Sequence, residues 1–398
     1  MELATTDAFV GLECVDCDAT YDADETNRCP DCGGILEPSY DYDAIDLERE
    51  ALESRSFDSL WRYEELLPFV RETAVTTDEG ATPLVECPTL AEELGVGRLL
   101  IKDEGRNPTG TIRDRGQSVA VTAVAGRGGT DVALASTGDG GQSAAAYAGR
   151  AGLESHVYLP SRSGFSNKAM VNVHGGDMNV VGGRYDDAVG AFEEGLAEHD
   201  EWESLQAFST PYRHEGEKTT LFEITEQLEW AVPDAVVYPT GGGVALVGGC
   251  KAATELQTLG LVDDRPSLYA AQAEGCAPIV DAFESGAADT EPVETPDTIC
   301  GGIEVPDPVA GGRVLEAISE TGGGAVATDD QDILEAGVTV AQHEGLEMTP
   351  SAAAAAGGAW ELAERGEFDG DETVVLVNTA TGNKEADVLR SYLMSQGV

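Results

Sequence analysis

Basic residues are scarce in this chain of 398 residues. Lys and Arg together number 23 against 74 Asp and Glu, a formal net charge of −51, and only five residues are Lys (102, 168, 218, 251 and 384). With so few cations and no basic patch to neutralise phosphates, nucleic acid is excluded as a partner. No apolar run is long enough to span a bilayer, so a membrane is excluded as well. The stretch Met1–Asp7 has neither a basic n-region nor an apolar h-region, and the expectation is a cytoplasmic protein. Aromatic residues make up only 6%. Low aromatic content with high acidity is a signature of disorder, but 41% of the residues are apolar and fall in regular blocks, which predicts a globular fold. The acidic residues are spread along the chain rather than gathered in a tail. That distribution is expected of a halophilic protein, whose hydrated carboxylates keep it soluble where salt screens other charges. The five His (156, 174, 199, 214, 343) are scattered, and no Ser/His/Asp arrangement stands out.

Cysteine is present in a pattern. Cys14 and Cys17 form one close pair; Cys29 and Cys32, followed by Gly33 and Gly34, form another. Four thiolates in two knuckles match tetrahedral Zn²⁺, in a site with no open position for substrate. The alternative, two disulfides, is disfavoured in a reducing compartment. The first knuckle has Asp18 where Gly is usual. Cys87, Cys250, Cys276 and Cys300 are isolated and read as small buried apolar residues.

Residues 41–97 are acidic with a helical pattern, including one helix over Asp58–Tyr63. From residue 98 onward the chain alternates. Strands are predicted at Leu99–Lys102, Val132–Ala135, His156–Leu159, Met178–Val181, Val236–Tyr238, Leu268–Gln272 and Thr373–Val377. Helices are predicted at Arg113–Ala125, Gln142–Arg150, Asp186–Glu198, Lys218–Trp230 and Asp330–Glu344. Such alternation means βαβ units and a mainly parallel α/β sheet, whose ligands sit beyond the C-terminal strand ends.

Four segments fall at such strand ends. The first is Asn107-Pro108-Thr109-Gly110-Thr111-Ile112-Arg113-Asp114-Arg115-Gly116, a polar turn opening a helix, where unpaired N–H groups favour an anion. The second is Ser136-Thr137-Gly138-Asp139-Gly140-Gly141. The third is Pro239-Thr240-Gly241-Gly242-Gly243-Val244-Ala245, where successive glycines after a strand suit a phosphate cradle. The fourth is Asn378-Thr379-Ala380-Thr381-Gly382-Asn383-Lys384.

These segments resemble those of fold-type II pyridoxal-phosphate (PLP) enzymes, closest to the threonine synthase and cysteate synthase branch. That branch reads Asn-Pro-Thr-Gly-Ser-Phe-Lys-Asp/Ala-Arg-Gly at the first segment. The resemblance extends to Tyr212-Arg213-His214-Glu215-Gly216-Glu217-Lys218-Thr219, similar to the branch's Tyr-Arg-x-Glu-Gly-x-Lys-Thr, and covers nearly the whole chain. It implies a two-domain architecture like that of the tryptophan synthase β chain, preceded by a zinc ribbon. The expected boundaries are 1–40 for the ribbon, 41–106 for the first part of the large domain, 107–215 for the small domain and 216–398 for the rest of the large one. It also implies a homodimer; the expected ligand is a small phosphorylated metabolite or amino acid, with a protein partner as the alternative.

By the same resemblance Asn107, Thr109, Asp139, Gly241, Gly242, Gly243, Val244, Ala245, Thr379 and Thr381 stand at PLP-contacting positions, and Arg113 stands where the family has its Schiff-base lysine. A Schiff base needs a neutral primary amine, which a guanidinium cannot supply. Other departures accompany this one. Asp139 replaces an Asn that donates to the cofactor's phenolate oxygen, and Val244-Ala245 replaces Thr-Gly. An ion pair between Arg113 and Asp139 is expected, because either charge alone would be uncompensated. The blander readings are a helix-surface Arg113 and an Asp139 that caps a helix. The functional expectation is a threonine-synthase-like protein that is catalytically impaired or repurposed. The alternative is an active PLP lyase, converting O-phosphohomoserine to threonine or acting on a related amino acid, that uses another Lys.

Overall fold

The computed structural model describes residues 3–25, 27–368 and 370–397. It begins with an antiparallel ribbon, β1 (Phe9–Cys14), β2 (Thr20–Tyr21) and β3 (Leu36–Tyr40), in the order β2-β1-β3. Residues 41–97 hold α1 (Arg49–Glu53), β4 (Leu84–Glu86) and α2 (Pro88–Leu94), with short 3₁₀ turns between. The predicted helix over Asp58–Tyr63 is a 3₁₀ turn, Leu60–Leu66, that starts after Ser59, whose hydroxyl accepts from the Trp61 N–H. The helical pattern there yields little regular helix, because Leu60, Trp61, Tyr63 and Leu66 are buried whichever way the turn winds.

The alternation then proceeds as β5 (Arg98–Asp103), α3 (Arg113–Gly126), β6 (Asp131–Ala135), α4 (Asp139–Ala151), β7 (Glu154–Pro160), α5 (Phe165–Val173), β8 (Asp177–Val181), α6 (Tyr185–Glu198), β9 (Trp202–Ser204) and α7 (Arg213–Gln227). It continues with β10 (Ala235–Pro239), α8 (Val244–Thr258), β11 (Ser267–Ala273), α9 (Pro278–Ser285), α10 (Gly311–Thr321), β12 (Gly324–Thr328), α11 (Asp330–Glu344), α12 (Pro350–Glu364), β13 (Thr373–Asn378) and α13 (Ala386–Ser395). Each predicted strand lies inside an observed one. Helix α7 ends earlier than the predicted Trp230, since Glu229 and Trp230 turn to positive φ. Strands β4, β9 and β12 and helices α5, α9, α10, α12 and α13 were not foreseen. β4 and β9 have only three residues each, too few for a period to show.

The chain divides into two compact units. Unit 1 comprises Met1–Ala81, Arg113–Thr220 and Glu255–Leu261; unit 2 comprises Thr82–Ile112, Leu221–Thr254 and Val262–Val398. Unit 1 holds the ribbon and a four-stranded parallel sheet, β8-β7-β6-β9. Its core packs Val132, Leu134, Val157 and Leu159 of the sheet against Val119, Val121, Ala144 and Tyr147 of α3 and α4. Unit 2 holds a six-stranded sheet, β12-β11-β10-β13-β5-β4, parallel except for β4. Helix α12 lies against it through a run of fully buried alanines, Ala352–Ala356. Small side chains let the helix come close: a methyl added at Gly358 would stand 2.9 Å from Ala271 Cβ. Thr349 caps α12 by accepting from the Ala352 N–H, and Pro350 fills its first turn, where no N–H is needed.

Candidate functional site: a phosphate cradle and an arginine-held anchor position

In unit 2, β10, β13 and β5 are adjacent parallel strands. The glycine segment follows β10, the Thr379–Thr381 segment follows β13, and the Asn107 turn follows β5. Three of the four predicted segments therefore leave from one strand-end edge, where ligands of open parallel sheets bind. The second and third of these are knitted together by backbone. Ile112 N–H donates to Thr379 O (2.9 Å), Thr381 N–H donates to Gly110 O (3.1 Å), and Thr111 bridges to Ala380. The Asn107 amide is spent inside the turn, on Glu104 Oε2 (2.7 Å) and Glu104 O (3.0 Å), so its clear role is to hold the loop. Thr109 is half-buried.

The glycine segment has the form of an anion cradle. Gly243 takes φ +82 and a Cβ there would stand 2.1 Å from Val314, so no other residue fits. A Cβ at Gly242 would meet nothing within 4 Å, so its backbone is open to approach. Val244 and Ala245 open the 15-residue α8 and are buried, and the helix N-terminus adds its dipole to the cradle.

In unit 1, Arg113 is the first residue of α3. Its position is fixed by a close crossing of α3 and α7. A methyl at Gly216 would fall 2.0 Å from Arg115 O, and one at Gly116 would fall 2.8 Å from Arg213 O. Only glycine permits that approach. The crossing brings the Glu217 carboxylate, fully buried on α7, to Arg113, whose Nη1 donates to both carboxylate oxygens at 3.2 Å. Arg213 also reaches this carboxylate, with Nη2 3.9 Å from Glu217 Oε1, and donates through Nη1 to Leu205 O (3.2 Å). Its Nε has no hydrogen-bond partner among the described residues although the side chain is only 8% exposed. Burial pulls the Arg213 pKa down to about 10, and the charge of Arg113 adds to the fall while Glu217 opposes it. Tyr185, at the start of α6, lies within the field of both arginines, and its hydroxyl accepts from Gln206 Nε2 (2.6 Å). Two guanidiniums thus share one carboxylate.

Sequence reasoning passed over Glu217, which occupies the second variable position of the Tyr-Arg-x-Glu-Gly-x-Lys-Thr pattern. Asp139 is the first residue of α4, and the cap position is Gly138. The capping reading of Asp139 is therefore corrected: the turn is closed instead by Ser136 Oγ, which accepts from the N–H groups of Gly138 and Gly141.

The lysines have their own partners. Lys102 is fully buried and donates to Glu223 (2.7 Å), Gln227 (2.7 Å) and Thr82 O (2.8 Å). Lys218 is fully buried between Glu215 (2.6 Å) and Glu255 (2.9 Å), over the ring of Tyr40. Lys168 donates to Ser161 O (2.5 Å). Lys384 is buried beside Gly110: a Cβ there would stand 3.3 Å from its Cε. Lys251 is partly buried within α8.

At the ribbon, the Sγ atoms of Cys14, Cys17, Cys29 and Cys32 all lie within 4.8 Å of one another, and all eight cysteines are free thiols. Gly33 and Asp18 both adopt left-handed backbone, φ +79 and +60, so Asp18 does occupy the turn position usual for Gly. The Gly34 N–H points at Cys32 Sγ (3.4 Å). Four converging thiols with N–H support fit a tetrahedral Zn²⁺. Cys87, Cys250, Cys276 and Cys300 are buried, as expected. No helix among the described residues is long and apolar enough to cross a membrane.

A two-unit α/β protein with a glycine cradle and adjoining loops at the strand ends has the fold-type II PLP architecture. The chain belongs to the pyridoxal-phosphate dependent enzyme family, whose model matches residues 75–380. It is 39% identical to the threonine synthase of Methanosarcina acetivorans over 92% of this chain and 90% of that one, and 38% identical to that of Methanocaldococcus jannaschii over 94% and 93%. Among solved structures it is similar to tomato threonine deaminase (TM-score 0.66, 21% identity, 78% of this chain and 87% of that one). It is also similar to Escherichia coli diaminopropionate ammonia lyase (TM-score 0.69, 18% identity, 81% and 89%). The PLP fit divides accordingly. The glycine segment of unit 2 has a form that suits a phosphate, whereas Arg113 of unit 1 offers no amine to an aldehyde and is tied to Glu217.

Proposed function

We propose that this chain is a threonine-synthase-like member of the family that keeps the phosphate-binding scaffold but does not hold PLP covalently. On this reading it is catalytically impaired or repurposed, and it binds a small phosphorylated metabolite without forming a Schiff base. The observation that carries the reading is the guanidinium of Arg113 held by two hydrogen bonds on a buried carboxylate. A guanidinium offers no primary amine to add to an aldehyde. The Arg213 Nε, which has no acceptor among the described residues, and the neighbouring guanidinium of Arg113 suit an anionic phosphate monoester. Zn²⁺ on the four cysteines stabilises the ribbon and takes no part in chemistry, and a high-salt cytoplasm is the environment the acidic surface suits.

The test is calorimetric titration with O-phosphohomoserine in concentrated KCl, beside an assay for threonine release with PLP added. Binding without threonine formation is expected; turnover would overturn the reading. One observation favours the alternative, an active lyase using another amine: Lys384 is packed beside Gly110, three residues before Arg113. Loss of such turnover in Lys384→Met would identify that lysine.

A further inference from the structure

We propose that Arg113 and Glu217 form a coupled lock. A lysine restored at position 113 takes up PLP covalently at neutral pH only when Glu217 is neutralised as well. This rests on the reading that the parent chain does not anchor PLP.

Reverting the anchor looks like a one-residue change, but the geometry says otherwise. The Glu217 carboxylate is fully buried and aimed at residue 113 with both oxygens. A Lys in place of Arg113 is about one bond shorter, which leaves its ammonium within ion-pairing reach of that carboxylate. An opposite charge in a buried setting favours the charged form of an amine. The Schiff base forms when the amine lone pair attacks the aldehyde carbon of PLP, making C=N and releasing water. An ammonium has first to lose a proton to solvent, and Glu217 opposes that loss. With Glu217→Gln the balance reverses. Arg213, whose Nη2 lies 3.9 Å from the same carboxylate, then stands beside the amine without that counter-charge. A second cation depresses a lysine pKa and exposes the nucleophile. Tyr185 and Asp186 on α6 are titratable groups beside this set; like every other neighbour that the substitutions leave in place, they are common to all the variants and cancel in the comparison. Glu217 is thus a positioning residue that fixes the protonation of whatever cation stands at 113.

The experiment treats the parent, Arg113→Lys, Arg113→Lys/Glu217→Gln and Arg113→Lys/Glu217→Asp with PLP in concentrated KCl across pH. Borohydride then reduces any imine to a stable secondary amine, and peptide mass spectrometry counts pyridoxyl groups at residue 113 alone. At neutral pH the Gln double variant is expected to be labelled at least ten-fold more than Arg113→Lys or the Asp double variant. Labelling of Arg113→Lys should rise only at pH above the ordinary lysine value of ~10.4. Equal labelling of Arg113→Lys and the folded Gln double variant at neutral pH would overturn the proposal. If the double variant fails to fold, the pH profile of Arg113→Lys decides alone, and efficient labelling at neutral pH overturns it. Stoichiometric labelling of another lysine in the parent would instead overturn the proposed function, leaving the comparison at residue 113 intact.

Discussion

Helix α7 carries two ion clusters, and they differ in kind. Glu215 and Glu217 are two residues apart, so they point to different sides of the helix. On one side Glu215 joins Glu255 around the fully buried Lys218, and Tyr40 and Tyr42 donate their hydroxyls to the same carboxylates. Two anions enclose one cation there, and the phenols supply the remaining donors. On the other side Glu217 serves two cations, Arg113 and Arg213. Arg113 is 23% exposed, and one Arg213 nitrogen has no acceptor among the described residues. The first cluster is closed and therefore structural. The second is partly exposed at Arg113, which is what a ligand site requires. The Lys218 side agrees with the family pattern at Glu215, Gly216 and Lys218, whereas the open side joins one departure, Arg113, to Glu217 at a position the pattern leaves variable.

Substitutions can sharpen that contrast. The largest effect is expected from Lys218→Met, which leaves Glu215 and Glu255 buried without their cation. It should cost about 3–5 kcal/mol, read as a lower denaturant midpoint at fixed salt. Gly216→Ala should disturb both clusters at once, because its methyl meets the Arg115 carbonyl at 2.0 Å. About 1–3 kcal/mol is expected, with loss of phosphate binding in the same protein. A smaller effect on folding, below about 1 kcal/mol, is expected for Arg113→Met, since Glu217 keeps Arg213 and the lost pair is partly solvated. That variant should nonetheless bind inorganic phosphate several-fold more weakly, measured by calorimetry. If it bound as well as the parent, the open cluster would not be the anion site.

Alkaline titration separates the clusters another way. Burial, followed by the Glu215 and Glu255 charges, raises the Tyr40 pKa well above 10, and the same causes raise that of Tyr42. Groups whose folded pKa lies above the unfolded value stabilise the fold below the unfolded pKa and stop doing so as pH rises. Stability should therefore fall as pH climbs above about 10, and Tyr42→Phe should blunt the fall. Substitutions at Arg113 should leave it unchanged.

Much of this was legible in the sequence, for physical reasons. The predicted strands were found because fully buried parallel strands such as Ala235–Pro239 read as unbroken apolar runs. Helix α12 was missed because its alanines show no amphipathic stripe when both helix and sheet bury them. The glycine cradle, the loops around Asn107 and Thr379 and the four cysteines could be placed from turn chemistry and spacing. Glu217 could not, because its role depends on the Gly116–Gly216 crossing, a contact between helices a hundred residues apart. The Arg113–Asp139 pairing was inferred from two departures. The carboxylate that holds Arg113 by two hydrogen bonds lay hidden at a position the family pattern leaves variable.

The central claim is that this chain holds no PLP through a lysine. The most direct test incubates the purified parent protein with PLP in concentrated KCl, reduces it with borohydride and maps pyridoxyl groups by mass spectrometry, with inorganic phosphate as competitor. The account predicts no stoichiometric, phosphate-competed pyridoxyl group on Lys102, Lys168, Lys218, Lys251 or Lys384. One such group on a single lysine, above all Lys384, would contradict it and restore the chain to the working enzymes of its family.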